Sequence, residues 1–346
     1  MQAIHERART LLGKACRCCP VCDGRACSGE VPGMGGLGTG AAFRANVSAL
    51  ADVRLNMRLI HEALSPVTAA SFLGIPISLP VVAAPIGGMF NINECMQEAD
   101  YISGVIEGCK AAGTLGCSGD GVPPIIMDSG LEAIRKAAGH GIPFVKPWEK
   151  SKLDQRLAAI LASDCPAVGM DIDAAGLITL AKMGHPVHPK NVDELAEIAK
   201  VIHEAGKKFI VKGIMTPKDA RLAVDAEVDA IVVSNHGGRV LDHTPGTAQV
   251  LPGIAKAVGK RMPVMVDGGV RTGVDVLKML ALGADIVGIG RPVTLAVVGG
   301  GREGVTHYIE KVKTELIQAM VLTGCATIED VDDEILHSPK DGDGLL

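Results

Sequence analysis

Five cationic residues follow successive apolar runs in the second half of the chain, and their types suit the binding of anions. They are Lys212, His236, Arg239, Arg271 and Arg291. Runs rich in β-branched residues that stop at glycine plus a charge are typical of buried parallel strands, which deliver their side chains to one rim. A rim with this charge predicts a site for an anionic cofactor and an anionic substrate.

Four of the polar residues could carry out acid–base chemistry on such a substrate. His236 is a candidate general base, and Arg239 three residues later is a candidate clamp for a carboxylate. Asp173 ends an earlier run and could orient the imidazole. Lys212 could stabilise negative charge on a reduced cofactor ring, although a strand-end lysine that reaches water explains it equally well. A single strand-end histidine is more often structural, but the histidine, arginine and aspartate together favour catalysis.

Composition limits the class of protein. The chain has 346 residues, a net charge of −5, one Trp, two Tyr and five Phe. The charge argues against a nucleic-acid surface, and the scarcity of aromatics argues against base stacking. No apolar stretch approaches the roughly 20 residues that span a membrane, and the charged start does not resemble a signal peptide. We expect a soluble, cytoplasmic protein.

Eight apolar runs alternate with amphipathic stretches that have helical spacing, such as residues 191–205 and 273–282. This alternation predicts an α/β fold, a (β/α)8 TIM barrel, with functional groups at the C-terminal ends of the strands. An open doubly wound sheet is the alternative, but it usually has fewer strands and a phosphate loop after the first one. The predicted strands are 79–85, 113–118, 143–148, 167–173, 209–213, 230–236, 263–269 and 286–291.

The last two strands end in turns that suit a phosphate group. A (β/α)8 barrel commonly binds phosphate at the loops after strands seven and eight. The backbone amides of glycines and the guanidinium groups of arginines suit a phosphate monoester. The simpler interpretation is that the glycines only form tight turns and that the arginines pair with carboxylates of the helices. The residues of these two loops are Asp267, Gly268, Gly269, Arg271, Gly290 and Arg291.

The barrel is flanked by other segments. Residues 1–78 form an N-terminal extension with a short helix at 4–12, a cysteine cluster, a glycine-rich loop and a second helix near 44–63. The barrel occupies 79–335 and includes a closing helix at 305–319, and residues 336–346 form a frayed tail. Residues 33–38 match G-x-G-x-x-G but follow a proline rather than a strand, which favours a loop folding over the barrel mouth.

Several of these segments together resemble the FMN-dependent α-hydroxy-acid oxidising family, which includes glycolate oxidase and lactate oxidase. The matching stretches are Val-Lys-Gly-Ile from Val211, Ser-Asn-His-Gly-Gly-Arg-Val-Leu-Asp from Ser234, Leu-Pro-Gly-Ile from Leu251, Asp-Gly-Gly-Val-Arg from Asp267 and Gly-Arg-Pro from Gly290. The likeness is specific from about residue 209 to 292 and weaker upstream, where residues 79–87 resemble the family's first strand.

The resemblance implies a role for each matching position. His236 would remove the substrate proton with Asp173 as its partner, Arg239 would hold the carboxylate, and Lys212 would lie beside the flavin. It also implies a homo-oligomer, with a tetramer as the usual assembly. The implied FMN contacts are Pro85, Ile86, Gly87, Ser118, Lys146, Asp171, Lys212, Ser234 and the six residues of the two phosphate loops.

The chain departs from the family pattern around the substrate. The only tyrosines, Tyr101 and Tyr308, do not match the family's active-site tyrosines, and Trp148 stands in place of one of them. Lys146 and Asp171 stand where glutamine and threonine are usual. The loop at 174–189 lacks the family's second substrate arginine and offers only Lys182, His185 and His188 as cations. We therefore expect weak binding of small acids, and contact of Trp148 with a larger apolar substrate.

The N-terminal cysteines are foreign to the oxidases of this family. Their spacing could ligate an iron–sulfur cluster, or two pairs could hold zinc, whereas a set of reduced thiols is the simpler alternative. In a cytoplasmic chain, clustered cysteines indicate metal rather than disulfides. The candidate ligands are Cys16, Cys19, Cys22 and Cys27. Cys95, Cys109, Cys117, Cys165 and Cys325 are scattered and are expected to be packing residues.

Two functions are consistent with the sequence. The first is oxidation of an L-2-hydroxy acid, lactate-like or larger, to the 2-oxo acid, with O2 or a redox protein as electron acceptor. The second keeps the flavin but is non-oxidative, similar to type 2 isopentenyl diphosphate isomerase, or senses redox state through the cysteines. The stretch from Ser234 to Arg239 favours the first, because that isomerase family lacks it.

Overall fold

Eight parallel strands close into a barrel, as the sequence predicted. The computed structural model of the protein describes residues 1–89, 92, 96–177, 180, 182–185 and 187–337. Each strand pairs with the next along the chain, and the last pairs with the first to complete the ring. The barrel strands are β3 (Val81–Ile86), β4 (Gly116–Ser118), β5 (Ile142–Val145), β6 (Ala167–Asp171), β7 (Lys208–Ile214), β8 (Ala230–Val233), β9 (Val264–Val266) and β10 (Ile286–Ile289).

Each predicted apolar run overlaps one of these strands, although five of the eight strands end before their run does. β8 is completely buried over its four residues, and the polar residues Ser234 to His236 lie in the loop that follows it. β-Branched and apolar side chains stabilise a strand that is buried on both faces. The polar residues that end each run therefore lie at the C-terminal rim.

Helices alternate with the strands around the barrel. Two of them, near 191–205 and 273–282, begin with capping boxes at Asn191 and Thr272, which explains their sharp starts. The helices are α1 (Gln2–Leu12), α2 (Ala41–Asp52), α3 (Glu98–Ala111), α4 (Pro124–Lys136), α5 (Lys150–Leu161), α6 (Val192–Glu204), α7 (Pro217–Asp225), α8 (Thr247–Val258), α9 (Gly273–Ala281) and α10 (Arg291–Thr323).

Two helix predictions had wrong bounds. The second helix was expected to continue to residue 63, but it ends at Asp52 because the chain then turns to pair with the C-terminal part. Leu55 bridges Leu336, and the Asn56 amide donates to the carbonyls of Glu334 and Leu336. The closing helix is longer than predicted and bends at Gly301, whose φ is +59°. The predicted frayed tail falls mainly in 338–346, outside the described residues.

A hairpin that the sequence did not predict lies before the barrel. β1 (Ala70–Phe72) and β2 (Ile75–Ile77) pair antiparallel. Phe72 and Ile77 pack with Val82, Leu115 and other side chains of the barrel interior, so the hairpin closes the end opposite the functional rim. Within the described ranges, no helix has both the length and the apolar character needed to cross a membrane.

The C-terminal rim of the barrel is covered by residues 13–40, here named the cap segment. It contains no helix or strand, and it connects α1 to α2. The amide of Leu37 donates to the carbonyl of Gly238 at 2.8 Å, which fixes the glycine-rich part against the loop after β8. This part of the chain therefore lies over the mouth, where the cationic residues are.

Candidate active site

Asp173, Lys212 and His236 form one contiguous group at the rim. Nδ1 of His236 is 3.0 Å from Oδ1 of Asp173, and Nζ of Lys212 donates to Oδ2 of the same carboxylate at 3.2 Å. Asp173 and Lys212 are almost completely buried, whereas the His236 side chain is 19% exposed. A carboxylate on Nδ1 selects the tautomer with its proton there, which makes Nε2 the acceptor.

The turn after β8 has an unusual backbone that fixes His236. Its φ is +57°, a left-handed conformation that is uncommon for a residue with a side chain. The amide of His236 donates to Oγ of Ser234 at 3.0 Å. The Asn235 amide donates to Asn46 and Thr244, and therefore anchors the turn to α2 and to the start of α8.

The charges of this group shift its pKa values in a direction that favours a neutral imidazole. Burial raises the pKa of Asp173, but Lys212 and His236 outweigh it and hold the carboxyl well below its usual range. Burial lowers the pKa of Lys212, but the charges of Asp173, Asp267 and Asp171 raise it by more. The net pKa is therefore raised, and the ammonium stays charged. Burial and the Lys212 charge lower the pKa of His236 below 6.5, more than Asp173 raises it. His236 is therefore a base at neutral pH.

A second buried ion pair lies beside this group. Nζ of Lys146, after β5, donates to Oδ2 of Asp171 at the end of β6 at 3.1 Å, and both side chains are 10% exposed. Ligand atoms of Asp171, Asp173 and His236 lie within 4.8 Å of one another. The ammonium groups of Lys146 and Lys212 already bind these two carboxylates, so this set is a charge network and a poor site for a cation.

The loop after β9 provides a polar cradle. Gly268 and Gly269 have φ values of +103° and +84°, and a Cβ at Gly269 would lie 2.4 Å from the Asn46 carbonyl oxygen, so only glycine suits this turn. Oδ1 of Asp267 and Nε of Arg271 are buried and have no hydrogen-bond partner among the described residues. An acceptor and a donor that both lack partners at one strand end indicate a bound group that would satisfy them.

Arg239 and Arg291 approach the same region from the loops after β8 and β10. Nη1 of Arg239 donates to the carbonyl of Gly33, and also to that of Gly35 at 3.3 Å. Nε of Arg291 donates to the Met34 carbonyl at 2.8 Å, and its guanidinium carbon is 3.9 Å from the centre of the Phe43 ring. The prediction that the glycine-rich loop folds over the mouth is confirmed by these contacts.

Three guanidinium groups close together favour an anion. Burial and the charges of Arg239 and Arg271 lower the pKa of Arg291. Nη2 of Arg271 contacts Cys22 through its carbonyl at 3.4 Å and its Sγ at 3.5 Å. Among the described residues, the hydrogen bonds that these three guanidinium groups donate all go to neutral acceptors. A phosphate monoester would supply the missing negative charge. The residues present therefore fit the phosphate end of FMN.

Comparison with known proteins decides the family. The model of the FMN-dependent dehydrogenase family matches residues 33–182 and 179–338. The chain belongs to this family. It is 31% identical over 333 residues to the L-lactate oxidase of Lacticaseibacillus rhamnosus (strain LMS2-1), a match that covers 84% of this chain and 85% of the relative. It is 30% identical over 339 residues to the L-lactate dehydrogenase of Caulobacter vibrioides, which covers 84% and 88%.

Solved structures of FMN-dependent oxidases agree with this assignment. The lactate oxidase of Pediococcus acidilactici aligns with a TM-score of 0.78 and 27% identity over 97% of this chain and 93% of that one. A mandelate oxidase with a C4a-OH-FMN adduct aligns with a TM-score of 0.75 and 25% identity, covering 96% and 98%. The protein is an oxidoreductase, and its cofactor is FMN.

The other positions expected to bind FMN are at the rim. Ile86 and Ser118 are register partners where β3 and β4 end, and Gly87 follows directly. A Cβ at Gly87 would lie 2.6 Å from the Ile126 side chain, so glycine lets the backbone here pack closely. Pro85 and Ser234 also lie at the C-terminal ends of their strands. These strand ends lie at the C-terminal face of the barrel, where functional groups of this fold collect.

Trp148 does not line the mouth as expected. Its ring is completely buried, and Nε1 donates to Oδ2 of Asp120 at 2.6 Å. Lys152 lies 3.4 Å over the ring centre. Because no part of the side chain reaches solvent, the ring as placed offers no face to a substrate, and Asp120 instead occupies the space beside it.

Neither tyrosine joins the catalytic group, in agreement with the sequence. The hydroxyl of buried Tyr101 contacts Thr294, and that of Tyr308 donates to the carbonyl of Arg271 at 2.9 Å. Tyr308 therefore positions an arginine of the phosphate loop. Among the loop cations, Lys182 and His188 are exposed, and His185 is half-buried.

Two residues of α2 that carry no distinctive sequence signal complete the site. Phe43 stacks on Arg291, and Asn46 donates to Asn235 at 2.7 Å and accepts from the amide of Thr247 at 3.1 Å. Both belong to α2, which therefore supports the loops after β8 and β9. Their spacing in the sequence is that of ordinary core positions of a helix, so only the structure identifies them.

The cysteines of the cap segment are free thiols. Cys16, Cys19, Cys22 and Cys27 are half-buried, whereas Cys18 is buried and donates to the Cys16 carbonyl. The scattered Cys109, Cys117, Cys165 and Cys325 are buried, as expected of packing residues, and Cys95 lies outside the described residues.

Proposed function

We propose that the protein oxidises an L-2-hydroxy acid to the 2-oxo acid, with His236 as the base and Arg239 as the carboxylate clamp. The observation that carries this proposal is the contact between Asp173 and Nδ1 of His236, which leaves Nε2 as the basic atom at the rim. Relatives named as oxidases or dehydrogenases of lactate support the substrate class.

In this mechanism, His236 removes one of the two protons that a hydroxy acid loses when its C–O bond becomes a carbonyl. FMN, when bound, supplies the two-electron acceptor. The imidazolium formed at Nε2 is stabilised by Asp173, whose carboxylate stays ionised because Lys212 lies beside it. The low pKa of His236 keeps it unprotonated before each turnover. A positioned base of this kind typically contributes about 10²–10⁴-fold to the rate.

Arg239 is the guanidinium best placed to hold the substrate carboxylate. Both of its contacts with the cap segment use Nη1, and among the described residues no hydrogen bond involves the edge formed by Nε and Nη2. That edge has the fork geometry that binds a carboxylate through two parallel hydrogen bonds. With no second arginine in the loop at 174–189, we propose weak binding of small acids.

Within the substrate class we propose lactate or a larger acid over glycolate. Trp148 suggested this preference from the sequence, but the complete burial of its ring argues against direct contact with a substrate. The preference therefore depends on the lactate oxidases among the relatives. O2 or a redox protein as electron acceptor, a homotetramer and a cytoplasmic location stay predictions from the sequence.

The alternative keeps FMN but is non-oxidative or senses redox state. It would need the cysteines rather than His236 to carry the chemistry. The buried Asp173–His236–Lys212 group favours oxidation. Burying charged groups costs free energy, and such groups at the rim of a barrel commonly belong to a functional site. Zinc or an iron–sulfur cluster on Cys16, Cys19, Cys22 and Cys27 is a separate proposal, which does not depend on which reaction FMN performs.

An anaerobic reduction assay tests the proposed function. The FMN-loaded protein is mixed without oxygen with a panel of glycolate, L-lactate, D-lactate, L-2-hydroxybutyrate and L-mandelate, and the flavin absorbance is followed. We expect bleaching by L acids and none by D-lactate, with formation of the 2-oxo acid. Failure of every acid to bleach a flavin that dithionite reduces would exclude the oxidation.

A further inference from the structure

The cysteine-rich part of the cap segment has little apolar surface with which to hold its shape. Between Gly13 and Glu30, only Cys18 and Gly24 are buried, and Val21 is 71% exposed. The segment has no helix or strand, and irregular segments of this length in compact proteins are usually functional. Short regions that cannot build an apolar core are commonly held by disulfides or by a metal, and all the cysteines here are free.

A salt bridge closes the cysteine-rich part of the segment into a loop. Arg17 makes a two-pronged salt bridge to Glu30, with nitrogen–oxygen distances of 2.9 and 2.7 Å, so residues far apart in the loop meet. Cys16 and Cys27 are near the two ends of this closed loop.

One cysteine of the segment differs from the other four. Cys18 is 1% exposed and has a φ of +43°, and the carbonyl of Cys18 accepts from Arg9 of α1 at 3.1 Å. Cys18 therefore packs against α1, whereas Cys22 contacts Arg271. Its burial distinguishes Cys18 from the four half-buried thiols, although its amide donates to Sγ of Cys16 at 3.5 Å.

We propose that Cys16, Cys19, Cys22 and Cys27 ligate an iron–sulfur cluster of the four-iron type, at the mouth of the barrel beside Arg271. Their order is C-x2-C-x2-C-x4-C, and the first three share the two-residue spacing of bacterial iron–sulfur runs. The contact of 3.5 Å between Arg271 and Sγ of Cys22 places a positive charge where the cluster would carry negative charge. The same arginine connects the cluster to the FMN phosphate site, a relationship that depends on the function proposed above.

The separation of the thiols argues against a single zinc ion. Zinc–sulfur bonds of about 2.3 Å hold the sulfurs of one ion within about 4.6 Å of each other. Among the described residues, the group of three or more ligands with all atoms within 4.8 Å consists of Asp171, Asp173 and His236, and no thiol belongs to it. A four-iron cluster binds each thiolate to a different iron, so its ligands are farther apart than those of a single ion.

Metal analysis of the full-length protein tests this proposal. The protein is purified anaerobically, and a second portion is reconstituted with ferrous iron and sulfide. We expect about four iron and four sulfide per chain, a broad absorbance that dithionite bleaches, and an electron paramagnetic resonance signal after reduction. One zinc per chain, or no iron after reconstitution, would overturn the four-iron cluster.

Matched variants identify the ligands. Cys19→Ser and Cys22→Ser should each lose the cluster, whereas Cys18→Ser in the same loop should keep it. Cluster retention in both ligand variants, or its loss only in Cys18→Ser, would overturn the assignment. FMN is measured in every sample, so that FMN without iron contradicts the cluster alone, whereas iron with a flavin that no hydroxy acid reduces contradicts the proposed function alone.

Discussion

Asp173 binds two groups at once, with one carboxylate oxygen 3.0 Å from Nδ1 of His236 and the other 3.2 Å from Nζ of Lys212. Asp173 and Lys212 have opposite effects on the imidazole of His236, because Asp173 stabilises its charged form and Lys212 destabilises it. Burial adds to the effect of Lys212. The carboxylate therefore orients a histidine that stays neutral and basic.

The first prediction concerns pH. A histidine with a lowered pKa is a base at every pH above that value and loses its function as the pH falls through it. We expect the acid limb of kcat/KM to have its midpoint below pH 6.5. Steady-state rates across about pH 5 to 9 check this. A midpoint above pH 6.5 would show that Lys212 and burial do not lower the pKa of His236.

Replacing Asp173 gives the second prediction. Asp173→Asn removes the negative charge that stabilises the imidazolium, so the pKa of His236 should decrease further and the acid limb should move to lower pH. The loss of the fixed tautomer should also slow flavin reduction by about 10²–10⁴-fold. Asp193→Asn, an exposed position of α6, is the control. An unchanged acid limb together with an unchanged rate would remove Asp173 from its orienting role.

Arg239→Lys tests the carboxylate clamp. Lysine keeps the charge but not the fork, and the loss of one charge-assisted hydrogen bond costs about 1.5–3 kcal/mol, or roughly 10- to 150-fold in affinity. We expect KM to rise by this factor while FMN content is unchanged. Arg221→Lys, on the exposed side of α7, should behave as wild type. A variant with the original KM would show that another group binds the carboxylate.

The fourth prediction concerns the polar cradle after β9, which we expect to bind the phosphate of FMN. Arg271→Ala should weaken FMN binding by roughly 10- to 150-fold, because the buried Nε of Arg271 then no longer contributes a charged donor to phosphate. Fluorescence titration of the apoprotein with FMN measures this, with Arg261→Ala as the control. Equal affinity in Arg271→Ala and wild type would place the phosphate elsewhere. Chromatography of the released flavin should give FMN and not FAD.

The barrel and its rim could be predicted from the sequence because each depends on local pattern. Apolar runs identified the strands, and a polar residue after each run must lie at the rim once the strands are parallel. The hairpin at residues 70–77 was missed because its two strands have three residues each, which is too short to show alternation. The ends of helices differed from the prediction where contacts with distant segments decided them. One example is the end of α2, after which Asn56 bonds to the C-terminal part of the chain.

Other parts of the site depend on contacts between distant segments. Nothing local indicates that carbonyls of residues 33–35 accept from Arg239 and Arg291, or that Phe43 stacks on Arg291. The burial of Trp148 depends on Asp120, which supplies a buried acceptor for its indole nitrogen. Such pairs become visible only when the chain is folded.

The most direct test of the central claim is rapid anaerobic mixing of FMN-loaded His236→Ala with the best L-2-hydroxy acid of the panel. We expect the variant to bind as much FMN as wild type and to be reduced by dithionite, whereas its reduction by the acid should slow by about 10²–10⁴-fold. Reduction by the acid at a rate close to that of wild type would contradict the assignment of His236 as the base.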